Sequence, residues 1–69
     1  MVISFCFKVT GEFKGEDLWP FIKGGGANML DAGDTVWVYG RTSLYELTDI
    51  VQHCAAFGEI AGEIHTRRE

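Results

Sequence analysis

The run from Asp34 to Gly58, DTVWVYGRTSLYELTDIVQHCAAFG, sets a strand, a helix start and a helix stop in direct succession. Thr35 to Tyr39 is β-branched or aromatic at every position, which suits a pleated, half-buried surface. Gly40-Arg41-Thr42 breaks that run. Ser43, with Glu46 three places on, then has the spacing of a capping box: the Ser43 hydroxyl accepts from the Glu46 amide, and the Glu46 carboxylate accepts from the Ser43 amide. Leu47, Ile50, Val51, Cys54 and Phe57 follow at steps of three and four, so they share one helix face, with Glu46, Asp49, Gln52 and His53 on the other. Gly58 is placed to stop this helix in a left-handed conformation.

Everything else must fit around that unit in 69 residues, which is one domain with a small core. With 46% apolar residues and one proline the chain is too hydrophobic to stay disordered, and it carries more apolar surface than so small an interior can hide. A net charge of -4 repels nucleic-acid phosphates and anionic lipid. Cys6 and Cys54 fall in an apolar strand and on an apolar helix face, the setting of reduced, packed thiols, which suits the cytosol. The opening MVISFCF lacks the basic region and cleavage site of an export signal, and no apolar run reaches the roughly 20 residues of a membrane span. The expectation is a soluble cytoplasmic protein.

Val2 to Val9 alternates as a strand with Ile3, Phe5, Phe7 and Val9 on the core face and Ser4, Cys6 and Lys8 opposite. Thr10 to Gly15 is a loop whose Phe13 folds back over the core. Glu16 to Lys23 is predicted as a two-turn helix with Asp17 as N-cap and Pro20 in its first turn, turning Leu18, Phe21 and Ile22 to the sheet and Trp19 to the side. Gly24-Gly25-Gly26 is a connector. Ala27 to Leu30 pairs with Thr35 to Tyr39 as a hairpin across the turn residues Asp31-Ala32-Gly33-Asp34; continuing the helix through the glycines instead would cost about 1 kcal/mol for each. Glu59 to Thr66 is the last strand, with Ile60, Gly62, Ile64 and Thr66 on one face and Ala61, Glu63 and His65 on the other. Arg67 to Glu69 is a frayed polar end.

The resulting order, βαββαβ, resembles the ferredoxin-like split βαβ arrangement: an α+β fold with a four-stranded antiparallel sheet and two helices on one face. The resemblance is one of fold; no motif names a family. It implies central first and third strands, edge second and fourth strands, and one sheet face with no helix over it. Because the third strand is apolar on both sides, either Trp37 with Tyr39 or Val36 with Val38 must look out from that bare face.

The bare face is where the sequence puts function. Cys6, Lys8, Trp37, Tyr39, Glu63 and His65 are the candidate partner-binding residues, and the partner is a second copy or another protein. Aromatics on an open sheet also serve RNA-recognition modules, but those need basic strands, and Lys8 is nearly the only cation assigned to this face. The triple glycine leaves a helix C-terminus, the wrong end for phosphate. Asp49 and His53 share a helix face, yet two side chains make no metal site. Ser43 is committed to capping and neither histidine has a nucleophile with an orienting acid, so no catalytic residue, cofactor or metal is assigned. Two rival readings remain. One is an ACT-like small-molecule sensor, whose pocket would be the loop Thr10 to Gly15. The other is an acidic inhibitor of a nucleic-acid-binding enzyme, of the phage or mobile-element type, using the carboxylates of Glu12, Glu16, Asp17, Asp31 and Asp34 in loops.

Overall fold

The structure is a computed structural model and describes residues 2–23 and 26–68. Its elements run β1 (Ile3–Thr10), α1 (Gly15–Ile22), β2 (Ala27–Asp31), β3 (Thr35–Thr42), α2 (Leu44–Ala55) and β4 (Glu59–Arg68). The four strands form one antiparallel sheet in the order β2-β3-β1-β4, so the ferredoxin-like α+β arrangement is present, with β1 and β3 central.

Alternation along β1 decides where the core lies. Ile3, Phe5, Phe7 and Val9 are buried while Ser4, Cys6, Lys8 and Thr10 are only partly covered, and the paired residues of β3 follow suit, with Val36 and Val38 buried. Both helices lie on that side. Leu18 and Ile22 of α1 and Leu47, Ile50 and Cys54 of α2 complete the core, flanked by Phe13, Met29, Val51 and Ile60. A buried side chain of this size contributes about 1.5–3 kcal/mol over an exposed one, so this single layer carries most of the fold's stability.

Several local expectations are corrected by tertiary contact. The chain enters α1 at Lys14, not Asp17: Asp17 is the third helical residue, its carboxylate accepting from the Lys14 amide at 3.0 Å and its own amide donating to the Lys14 carbonyl at 2.9 Å. Pro20 therefore sits inside the helix, where it cannot bond the carbonyl of Glu16; both residues are exposed, so water can serve that carbonyl. Phe21 does not face the sheet but stands 42% exposed and stacks on His53 of α2 at 4.9 Å between ring centroids. Gly40-Arg41-Thr42 does not end β3, because β1 supplies a partner for each of the three. Arg67 and Arg68 are not frayed: they pair with Ser4 and Ile3. Of the triple glycine, Gly24 and Gly25 lie outside the described residues, as does Glu69.

The capping of α2 is half made, the Ser43 hydroxyl accepting from the Glu46 amide at 3.2 Å. Its end differs from expectation. Ala56 closes the helix in a right-handed conformation, Gly58 has no positive φ, and Phe57 beyond it is 41% exposed. Glycine is needed at 58 for room: a Cβ there would lie 2.5 Å from the Thr10 carbonyl oxygen and 2.6 Å from the Phe13 ring. The return of the chain from α2 into β4 thus runs hard against the loop that follows β1. Gly58→Ala should lose about 1–3 kcal/mol in urea denaturation. Gly58→Asn should be at least as damaging, although asparagine would be tolerated at a left-handed stop.

Candidate functional site

The face of the sheet away from the helices is assembled from rows that cross the strands. One row runs Asn28, Tyr39, Cys6, His65, and the next runs Leu30, Trp37, Lys8, Ala61. Because paired residues of antiparallel strands point to the same side, the ambiguity over β3 resolves: Val36 and Val38 go under the helices, and Trp37 and Tyr39 go into the open. Tyr39 is 43% exposed and Leu30, beside Trp37 in the register, is 59% exposed. Lys8 lies over the Trp37 ring with its Nζ 5.6 Å from the centroid, which fixes both side chains by about 0.5–1 kcal/mol.

β4 contributes through an irregularity. The two-residue step from Cys6 to Lys8 on β1 is matched by the four-residue step from His65 to Ala61 on β4, with Gly62 at φ 75 inside the bulge. Two extra residues preserve the parity of the strand, so Ala61, Glu63 and His65 all stay on the open side. The missing side chain of Gly62 leaves a shallow depression of about 140 Å³ whose walls include Lys8, Trp37, Glu63 and His65. Four of the six candidate residues thus meet around one hollow, and Cys6 and Tyr39 occupy the adjoining row. Leu30 and Asn28 on β2 were not among the candidates. The hairpin register places them opposite Trp37 and Tyr39, a signal available only once that register is fixed.

Other candidate chemistry has gone into structure. His53 is tied to its own helix, its Nδ1 2.8 Å from the Asp49 carbonyl oxygen and 3.7 Å from the Asp49 carboxylate, with its ring on Phe21. Among the described residues no three of His, Cys, Asp and Glu gather where a metal ion could be held. The carboxylates assigned to loops are partly elsewhere and partly engaged. Glu16 and Asp17 belong to the first turn of α1, and Asp31 ends β2, accepting from the amides of Gly15 at 3.4 Å and Gly33 at 3.2 Å. Phe13 fills the inner side of the loop after β1, packing against the core and against Gly58. A larger hollow of about 390 Å³ opens between α1 and β2, beside Trp19 and Met29. No described helix is long and apolar enough to cross a membrane.

The two cysteines sit on opposite sides of the sheet and are both free. Cys6 is part-exposed on the open face; Cys54 is fully buried, and burial pushes its thiol up to about 11. No family model, curated protein or solved structure matches the chain. The contrast between the thiols is directly measurable: a maleimide at neutral pH should modify Cys6 in the native protein and reach Cys54 only on unfolding. Because the folded state holds the Cys54 proton more tightly than the unfolded chain, whose thiol ionises near 9.0, its contribution is complete below that pH and is lost as pH rises towards 11. The stability advantage of the wild type over Cys54→Val should accordingly shrink across that window, by at most about 1.4 kcal/mol per pH unit.

Proposed function

We propose that the chain is a small non-catalytic binding module that engages another protein through the uncovered face of its sheet, with Trp37 and Tyr39 as anchors and Cys6, Lys8, Glu63 and His65 around them. The observation that carries this reading is the two-sided β3. Its valines close the core beneath the helices, while Tyr39, exposed, and Trp37, half-buried, are joined by the exposed Leu30 on the side no helix covers. Contiguous apolar surface on so small a protein is a contact site or an aggregation hazard, and aromatic residues near the centre of a patch supply most of the energy in protein interfaces.

The shape of the face favours a macromolecule. Its depression of about 140 Å³ falls well short of the roughly 300 Å³ at which pockets for ordinary small ligands begin. A net charge of -4 disfavours nucleic acid, and two free thiols suit a reducing cytoplasm.

A paired test uses sedimentation velocity on the purified chain and native size fractionation of an extract from its source cells. The wild type should run as a heavier species in at least one setting, and the Trp37→Ser, Tyr39→Ser double variant should run as a 7.7 kDa monomer in both. A wild type that is monomeric in both, or a complex indifferent to the double substitution, would remove this function.

A further inference from the structure

The occupant of the open face can be named more closely, on the premise that the face binds protein at all. Extent is the first consideration. A stable protein pair takes about 800 Å² from each partner. The whole surface of this chain is 4538 Å², so the occupant has to cover a broad side of the molecule, and no single groove would suffice. A second four-stranded sheet of equal span is such a surface.

Charge along the strands is the second consideration, and it selects both partner and orientation. At one end of the open face, Ser4 pairs with Arg67 on one side and Arg41 on the other. At the opposite end, Thr10 pairs with Glu59 and Thr35. Between these ends lie the two rows that carry Trp37, Tyr39, Leu30 and Cys6. The face carries Arg67 and Arg41 at one end and Glu59 at the other, with the aromatics, Lys8 and His65 between them.

Such a surface is complementary to itself after one particular half-turn. An axis lying in the contact plane and running across the strands brings the basic end of each copy over the acidic end of the other. An axis running along the strands would instead lay β4 over β2 and β1 over β3, where Arg67 and Glu59 would face no opposite charge.

We propose that the chain forms a two-fold homodimer, sheet face on sheet face, with the axis crossing the strands. Arg67 of each copy then reaches Glu59 of the other, and Trp37 of each lies over Tyr39 of the other. β4 crosses β4, and the two sheets pack about 30° from aligned, as twisted sheets do. The interface is isologous and closes at two copies. Arg67 and Glu59 are both exposed, so their substitution leaves the core intact.

Sedimentation equilibrium on the purified full chain tests the arrangement with Arg67→Glu, Glu59→Arg and the two combined. Each single reversal should weaken the dimer about tenfold or more, and the combination should return to within about threefold of the wild type. Arg68→Glu makes the same change of charge one residue along, on the helix side of β4, and should leave association unaltered. A double reversal no tighter than either single one, or a dimer untouched by all of them, overturns the crossed-axis arrangement but leaves a protein-binding face that still depends on Trp37. A purified chain that stays monomeric up to about 1 mM overturns the second copy as occupant. Partners recovered from extract in a Trp37-dependent way would in that case keep the broader reading.

Discussion

The pairing of β1 with β3 is the constraint on which the rest depends. Eight consecutive residue pairs join the two strands, from Ile3 with Thr42 to Thr10 with Thr35. Register in a sheet is all or nothing: after a slip of one residue, either Trp37 and Tyr39 would join the β1 phenylalanines beneath the helices, or Val36 and Val38 would stay there and the phenylalanines would be turned out. The core is sized for small residues opposite β1: Phe5 pairs with Gly40, Val9 with Val36, and Phe7 with Val38, the last two both fully buried. Two indole- and phenol-bearing side chains have no volume waiting for them there, and close-packed interiors do not accommodate such excess. The helices therefore select the small face of β3, and the large face goes to the outside by exclusion.

Seen in this way, the composition of the open face is the residue of a packing decision on the other side. Groups that could have been reactive are held in structural contacts: Asp17 and Asp31 bind backbone amides, His53 is stacked on Phe21, and Cys54 is sealed in apolar surroundings.

Strand periodicity made most of this legible in advance. The alternation of Ile3, Phe5, Phe7 and Val9, the two-sided Thr35 to Tyr39 and the spacing behind Ser43 each have one cheap solution, and βαββαβ follows from their order. The sequence left the facing of β3 undecided because Val and Trp are both apolar, and only volume against the β1 core separates them. The misplacements share a cause as well. Asp17, Gly40 and Gly58 each answer to a contact that propensity at one position does not carry: the reach of a carboxylate back to the Lys14 amide, the partner strand β1, and the carbonyl of Thr10. Phe21 stands outside because the eight-residue helix has a single buried stripe, Gly15, Leu18 and Ile22.

The irregular stretch of β4 around Gly62 carries one more consequence. An outermost strand of ten residues offers its unused amides and carbonyls as a template on which another chain could anneal, and open-ended growth follows when it does. Two surplus residues and a left-handed glycine midway along that rim throw its donors and acceptors out of step, so an incoming segment could match one half or the other but never the whole. That rim of the sheet is thereby a poor template for lengthening it sideways.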